Sequence, residues 1–238
     1  MEESKIEKYF STEESFFNDL KKSLGDDLLF YCVTGSLARK EVIPEWSDID
    51  TLIVCSDLDL KTLTNIKEAI DRNNSNIKIG ITLYSLKEFN SYNSQDPKTY
   101  NVIRNILSNR YLPKIHNNRV ILKKIDNKIS NNLNRVEFLK DLHSFKRELI
   151  KYPDYSERNI YRFLTYMLRV LLFYKNIYCD GYIETWNEAG KVFTDLPFQK
   201  ILPEDILHLV NDRQDRFLGY VNFLEWLNNE KRSGVHIN

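Results

Sequence analysis

Cysteine is scarce: Cys32, Cys55 and Cys179 are the three in 238 residues, odd in number and widely spaced. That pattern excludes a disulfide framework, offers no cysteine-based zinc site and fits a reducing cytosol. Glycine and proline are few, seven and six, whereas aromatic residues make up 13%, so a disordered chain is excluded. Neither sign of charge is in excess, because 34 basic residues balance 34 acidic ones. Nothing global therefore draws the protein to nucleic acid or to an anionic membrane. The longest apolar stretches are broken by Arg and Lys, and no transmembrane helix is predicted. The segment Met1-Glu2-Glu3-Ser4-Lys5 is acidic with no apolar run, so no signal peptide is predicted and a cytoplasmic location is expected. His143, His208 and His236 stand apart from one another and from cysteine, which leaves a zinc site without support. There is no Walker loop, dinucleotide fingerprint or Gly-x-Ser-x-Gly elbow.

What the chain does have is the stretch Thr34-Gly35-Ser36-Leu37-Ala38-Arg39, followed by Ser47-Asp48-Ile49-Asp50 and the apolar run Leu52-Ile53-Val54-Cys55. Residues i and i+2 of a strand point to one face, so Asp48 and Asp50 are expected to project side by side. Two like charges held that close need a cation. Hard carboxylate oxygens suit Mg²⁺, which fills the rest of its octahedron with water and substrate phosphates. The Gly35-Ser36 turn offers backbone N–H groups and a hydroxyl to a phosphate. A phosphate cradle beside a metal-binding Asp pair is apparatus for nucleotidyl transfer.

This segment resembles the nucleotidyltransferase superfamily related to DNA polymerase β. That family's signature is an apolar strand, Gly-Ser, a short helix, then Asp-x-Asp on the next strand. Phe30-Tyr31-Cys32-Val33 matches the first strand, Gly35 and Ser36 the Gly-Ser, Ala38 and Arg39 the small and basic positions of small bacterial members, and Ser47-Asp48-Ile49-Asp50 the metal motif. The resemblance implies that Gly35 and Ser36 hold the β/γ-phosphates of a nucleoside triphosphate. Asp48 and Asp50 would be catalytic and bind metal, with two Mg²⁺ ions in an active enzyme. Arg39 would steady the triphosphate.

The family also carries a third carboxylate on a later strand, expected here near Gly80 or Thr82 in Ile77-Lys78-Ile79-Gly80-Ile81-Thr82-Leu83-Tyr84. Neither residue binds Mg²⁺ as a carboxylate does. Glu88 lies beyond the strand, and its spacing from Ser85 predicts a capping box, with Ser85 as N-cap and Glu88 at N3.

The N-terminal half alternates helix and strand. Ser11-Thr12-Glu13-Glu14 predicts a helix start, Gly25 its end, and strands are predicted over 28–33, 51–55 and 77–84. A helix over 60–71 is expected to bury Leu60, Leu63, Ile66 and Ile70. Another runs from Pro97 to Ser108, and Val120-Ile121-Leu122 reads as a short strand or extended segment. The fold expected is an α/β nucleotidyltransferase domain with a mixed sheet over 1–128. An all-α helical bundle is expected over 129–238, with helices over 136–150, 155–175 and 183–193 and one opening at Pro203.

This organisation looks like that of the antibiotic nucleotidyltransferases of aminoglycoside and lincosamide type, which join such a domain to a helical bundle. Arg162-Phe163-Leu164-Thr165-Tyr166 through Trp186-Asn187-Glu188 is loosely similar to their C-terminal part. The likeness implies that Lys191 approaches the nucleotide phosphates, although a solvent-facing lysine is the simpler reading. Glu184 and Glu188, spaced i, i+4, read as a solvated acidic face ahead of a site for a cationic substrate. The basic stretch Arg104, Arg110, Lys114, His116, Arg119, Lys123, Lys124 and Lys128 sits in no recognised nucleic-acid module. Arg110 and His116 have a ribonuclease-like spacing, but Pro113 interrupts any common helical face. The expected function is Mg²⁺-dependent transfer of a nucleoside monophosphate from an NTP, ATP first, to a hydroxyl of a small molecule such as an aminoglycoside-like antibiotic. The partners expected are nucleotide and acceptor, with neither membrane nor nucleic acid, and the oligomeric state is open. The alternatives are a nucleotide-binding pseudoenzyme and a toxin–antitoxin or defence nucleotidyltransferase acting on protein or RNA.

Overall fold

Four strands form one mixed sheet in the order β3-β2-β1-β4 in a computed structural model that describes residues 2–44, 46–73, 77–92, 97–122, 164–169, 171–172, 175 and 177–193. The strands are β1 (Leu28–Thr34), β2 (Ile49–Cys55), β3 (Ile79–Ser85) and β4 (Ile115–His116). β1 and β2 lie in the middle and are almost continuously apolar, as strands covered on both faces must be. They pair antiparallel from Leu28↔Cys55 to Thr34↔Asp50. β2 and β3 pair parallel from Ile49↔Ile79 to Cys55↔Ser85. That pairing needs a crossover, which α3 (Leu60–Asn73) supplies.

Alternation along the strands sorts the core into two layers. Leu28, Tyr31, Ile49, Ile53, Cys55 and Ile79 face a cluster that includes Phe16, Phe17 and Leu20 of α1 (Glu2–Leu24) and Ile66 and Ala69 of α3. Phe30, Cys32, Leu52 and Val54 face the other way. Phe89 of α4 (Leu86–Tyr92), Ile103 and Ile106 of α5 (Pro97–Leu107), Tyr111 and Val120 cover them. Each buried Val, Leu, Ile or Phe among them contributes roughly 1.5–3 kcal/mol by leaving water. A four-residue helix, α2 (Gly35–Ala38), joins β1 to the loop before β2.

Three expectations give way here. The first helix starts at Glu2, not at Ser11. Ser11 lies inside it and bonds back to the Lys8 carbonyl at 3.0 Å, the way a mid-helix serine satisfies itself. Glu13, read as part of a cap, is instead buried in a tertiary ion pair. On α3 Ile66 is buried and Ile70 packs partly buried against the same core, as expected, but the other buried residues are Thr62, Ala69 and Asn73, while Leu60 is 82% and Leu63 43% exposed. Polar ties to α1 set that face: Asn73 Nδ2 donates to Asp19 Oδ2 at 2.9 Å, and Asn65 Nδ2 to the Ser23 carbonyl at 3.2 Å. Val120–Leu122, read as a short strand or extended segment, is not a strand. Ile115 and His116 pair with Tyr31 and Phe30 instead, and Val120 is buried from a turn.

The chain divides into two units, Met1–Leu133 and Asn134–Asn238. In the second, residues 164–169 and 171–172 are helical, and α6 spans Tyr182–Val192. Trp186 Nε1 donates to Thr165 Oγ1 at 2.9 Å, and Arg169 Nε to Thr185 Oγ1 at 3.1 Å. The helices predicted over 136–150 and from Pro203, and most of that over 155–175, lie outside the described residues. Among the described residues no helix is long and apolar enough to cross a membrane.

Candidate functional site

Where β1 ends and β2 begins, Thr34, Asp50 and Gly80 form one row across three strands, Thr34↔Asp50 and Asp50↔Gly80. Asp50 follows Leu52 and Val54 on their side of the sheet, just past the apolar cluster. The chain leaves β1 through Thr34 in an extended conformation and turns at Gly35, whose φ of +67° favours glycine. This turn brings the Gly35 backbone against Asp50: a Cβ on Gly35 would lie 2.8 Å from Asp50 Oδ2. On the opposite side a Cβ on Gly80 would lie 2.9 Å from Asp50 Oδ1. Two side-chain-free positions thus flank one carboxylate.

α2 is closed by Arg39 N–H to the Gly35 carbonyl at 3.3 Å and Glu41 N–H to the Ser36 carbonyl at 2.8 Å. Ser36 is buried. The next loop is tied at Ser47, whose Oγ accepts the Ile43 N–H at 2.9 Å while its own N–H donates to the Ile43 carbonyl at 2.9 Å. That turn delivers the chain to Asp48, one residue ahead of β2. Ile49 N–H then donates to the Lys78 carbonyl at 2.9 Å, so the Asp48-Ile49-Asp50 backbone is anchored where the two acids emerge.

Arg39 Nε donates to Glu41 Oε2 at 2.8 Å and Nη1 to the Tyr111 hydroxyl at 2.9 Å. Its side chain is only 15% exposed, so the arginine next to the Gly-Ser turn is held in place. Sequence reasoning, which noted Tyr111 only as an aromatic within the basic stretch, did not link it to Arg39, because the contact spans 72 positions. It did not find the role of Gly80 either. A lone glycine in an alternating strand was the available signal, since such a residue marks a close approach.

Glu88 is committed elsewhere. Its Oε2 accepts the Ser85 N–H at 2.8 Å and the Ser85 hydroxyl at 2.9 Å, and its own N–H donates to Ser85 Oγ at 3.2 Å. This is the capping box expected, and the Ser85 backbone N–H holds the Glu88 carboxyl below its ordinary range. Among the described residues no three His, Cys, Asp or Glu side chains form a group suited to a metal.

Lys191, Glu184 and Glu188 lie on α6 of the second unit. Lys191 Nζ donates to Glu188 Oε1 at 2.6 Å and is exposed. Glu184 Oε2 accepts the Asp180 N–H at 3.1 Å, a helix-start contact. In the first unit Lys114, from the basic stretch, turns to Glu13 and Glu14. No protein-family model matches the chain, and no curated protein matches it.

Proposed function

We propose that the protein catalyses Mg²⁺-dependent nucleotidyl transfer from an NTP, ATP first, to a hydroxyl of a small-molecule acceptor such as an aminoglycoside-like antibiotic, releasing pyrophosphate. The observation that carries this reading is the packing of the Asp50 carboxylate against Gly35 at the Gly35-Ser36 turn. The turn is a backbone site for phosphate, and Asp48 and Asp50 are hard oxygen donors at the head of β2. These residues fit Mg²⁺ by donor type, two hard carboxylates next to a backbone turn suited to phosphate. When bound, the cation supplies charge neutralisation on the phosphates.

In this reading Asp48 and Asp50 are the metal-binding pair. Gly35 and Ser36 seat the terminal phosphates, and Arg39 sets a positive charge beside them, aimed by Tyr111 and Glu41. A second reading, a nucleotide-binding protein of weakened or lost turnover, is favoured by Gly80 and Thr82 standing where a third acid is expected.

Calorimetry with ATP, GTP, CTP and UTP, with and without Mg²⁺, tests both. The expected result is Mg²⁺-dependent binding of at least one nucleotide, lost in Asp48→Asn and Asp50→Asn variants whose melting curves match the parent. Binding unchanged in those variants would overturn the site. Binding without pyrophosphate release across an acceptor screen would select the second reading.

A further inference from the structure

Glycine inside a strand is unfavourable, because it packs nothing and loses more backbone freedom on folding than other residues. β3 nevertheless breaks its run of Ile79, Ile81 and Leu83 on one face with Gly80 on the other. The space above Gly80 is already taken. Asp50 Oδ1 lies 2.9 Å and the Ile49 carbonyl oxygen 3.8 Å from where a Cβ would stand. Gly35, a residue remote in sequence, leaves the same kind of room beside Oδ2, at 2.8 Å. Both distances are shorter than a methyl group and a carboxylate oxygen tolerate, so neither position accepts a side chain while the carboxylate stays where it is.

We propose that Gly80 is a positioning residue for Asp50: together with Gly35 it makes a two-sided slot that fixes the carboxylate in the orientation used for metal. The link to metal rests on the nucleotidyl-transfer reading, whereas the slot itself does not. At Gly80 the first atom a methyl would meet is the far end of the Asp50 side chain rather than backbone. Adding one therefore turns the carboxylate aside and leaves the strand standing. It also follows that position 80 is not a vacated place for a third acid, because that place is filled by Asp50.

The test is Gly80→Ala, read by crystal structure, melting curve and Mn²⁺ affinity from electron paramagnetic resonance. The fold should persist, and Asp50 should move to another staggered rotamer out of the slot. Mn²⁺ affinity should fall roughly 10- to 100-fold, the usual effect of disturbing a ligand's support. On an Asp50→Asn background, Gly80→Ala should cost no further affinity. An Asp50 carboxylate that keeps its place while β3 shifts would overturn the proposal, as would equal losses on the two backgrounds. If the unaltered protein binds no Mn²⁺, the nucleotidyl-transfer reading fails, and the crystal structure alone decides the slot. Should Gly80→Ala not fold, Gly80→Ala/Asp50→Ala decides: recovery of folding supports the contact, and continued failure overturns it.

Discussion

Lys114 Nζ donates to Glu13 Oε2 across 2.7 Å, joining the segment before β4 to α1. The other Glu13 oxygen accepts the Tyr31 hydroxyl at 2.8 Å, and the Lys114 ammonium sits 4.9 Å from the Phe17 ring centre. Glu13 is 4% exposed, so its charge depends on these two donors. Replacing Lys114 by Met strands that charge. Breaking a fully buried pair costs about 3–5 kcal/mol; Lys114 is 29% exposed, so about 2–4 kcal/mol is expected in urea unfolding at neutral pH. Burial pushes the Lys114 pKa down, but the hydrogen bonds it donates to Glu13 and Glu14, with their negative charges, outweigh it and raise the pKa above its ordinary value. A raised folded pKa gives stability that is complete below the unfolded value, about 10.4, and is lost as pH climbs through the folded one. The parent should therefore lose its advantage over Lys114→Met above that pH. A gap constant into that range would refute the pairing.

The Ser85–Glu88 box makes an opposite demand in acid. The lowered Glu88 pKa, caused first by the Ser85 N–H and then by its hydroxyl, gives stability that is present above the unfolded value of about 4.3 and lost as pH falls through the folded one. Ser85→Ala should cost about 1 kcal/mol by removing the cap. Glu88→Gln should flatten the acid limb of the stability curve and leave Mn²⁺ affinity unchanged. A fall in Mn²⁺ affinity would return Glu88 to the ligand set and make it the third acid.

The capping box was readable in the sequence because it is local: three residues separate its members. The Gly35-Ser36 turn and the Asp48-Ile49-Asp50 strand head were readable for the same reason. What escaped depends on tertiary register. Asp50 meets Gly80 only because β2 and β3 pair in parallel through α3, and no local pattern fixes that offset. The face of α3 was read in part: Ile66 and Ile70 pack on the core, whereas Leu60 and Leu63 are exposed and Asn65 and Asn73 dock on α1 through hydrogen bonds. Ser11 looked like a helix start because its neighbours are acidic, yet Glu13 answers to Tyr31 and Lys114, far along the chain.

The cysteines divide by burial. Desolvation pushes the Cys32 thiol up to about 12, and burial with the nearby Asp27 charge pushes Cys55 up to about 11. The thiolate is the nucleophile, so both should resist alkylation at pH 8. Cys179 is partly exposed. Iodoacetamide should therefore label Cys179 in the native protein and the other two only on unfolding, which peptide mass spectrometry resolves. Native labelling of Cys32 would mean that β1 opens.

Thr82 and Gly80 share a face of β3, and a missing acid could be restored at either by pattern alone. The packing separates them. At position 80 the added carboxylate would compete with Asp50 for one volume, and a second negative charge in contact would repel it. At position 82, opposite Leu52, the carboxylate would lie diagonally from Asp50, roughly 7–8 Å away between backbones, a separation that a cation shared by two short carboxylates bridges. Thr82→Asp should tighten Mn²⁺ on the order of tenfold, since each added anionic oxygen ligand raises affinity for a hard cation. Gly80→Asp should weaken it. If the absent acid is the only defect in turnover, pyrophosphate release should rise in Thr82→Asp alone. Equal gains at both positions would show that Asp50 moves freely at no cost, and the glycine pair around it would then have no positioning role.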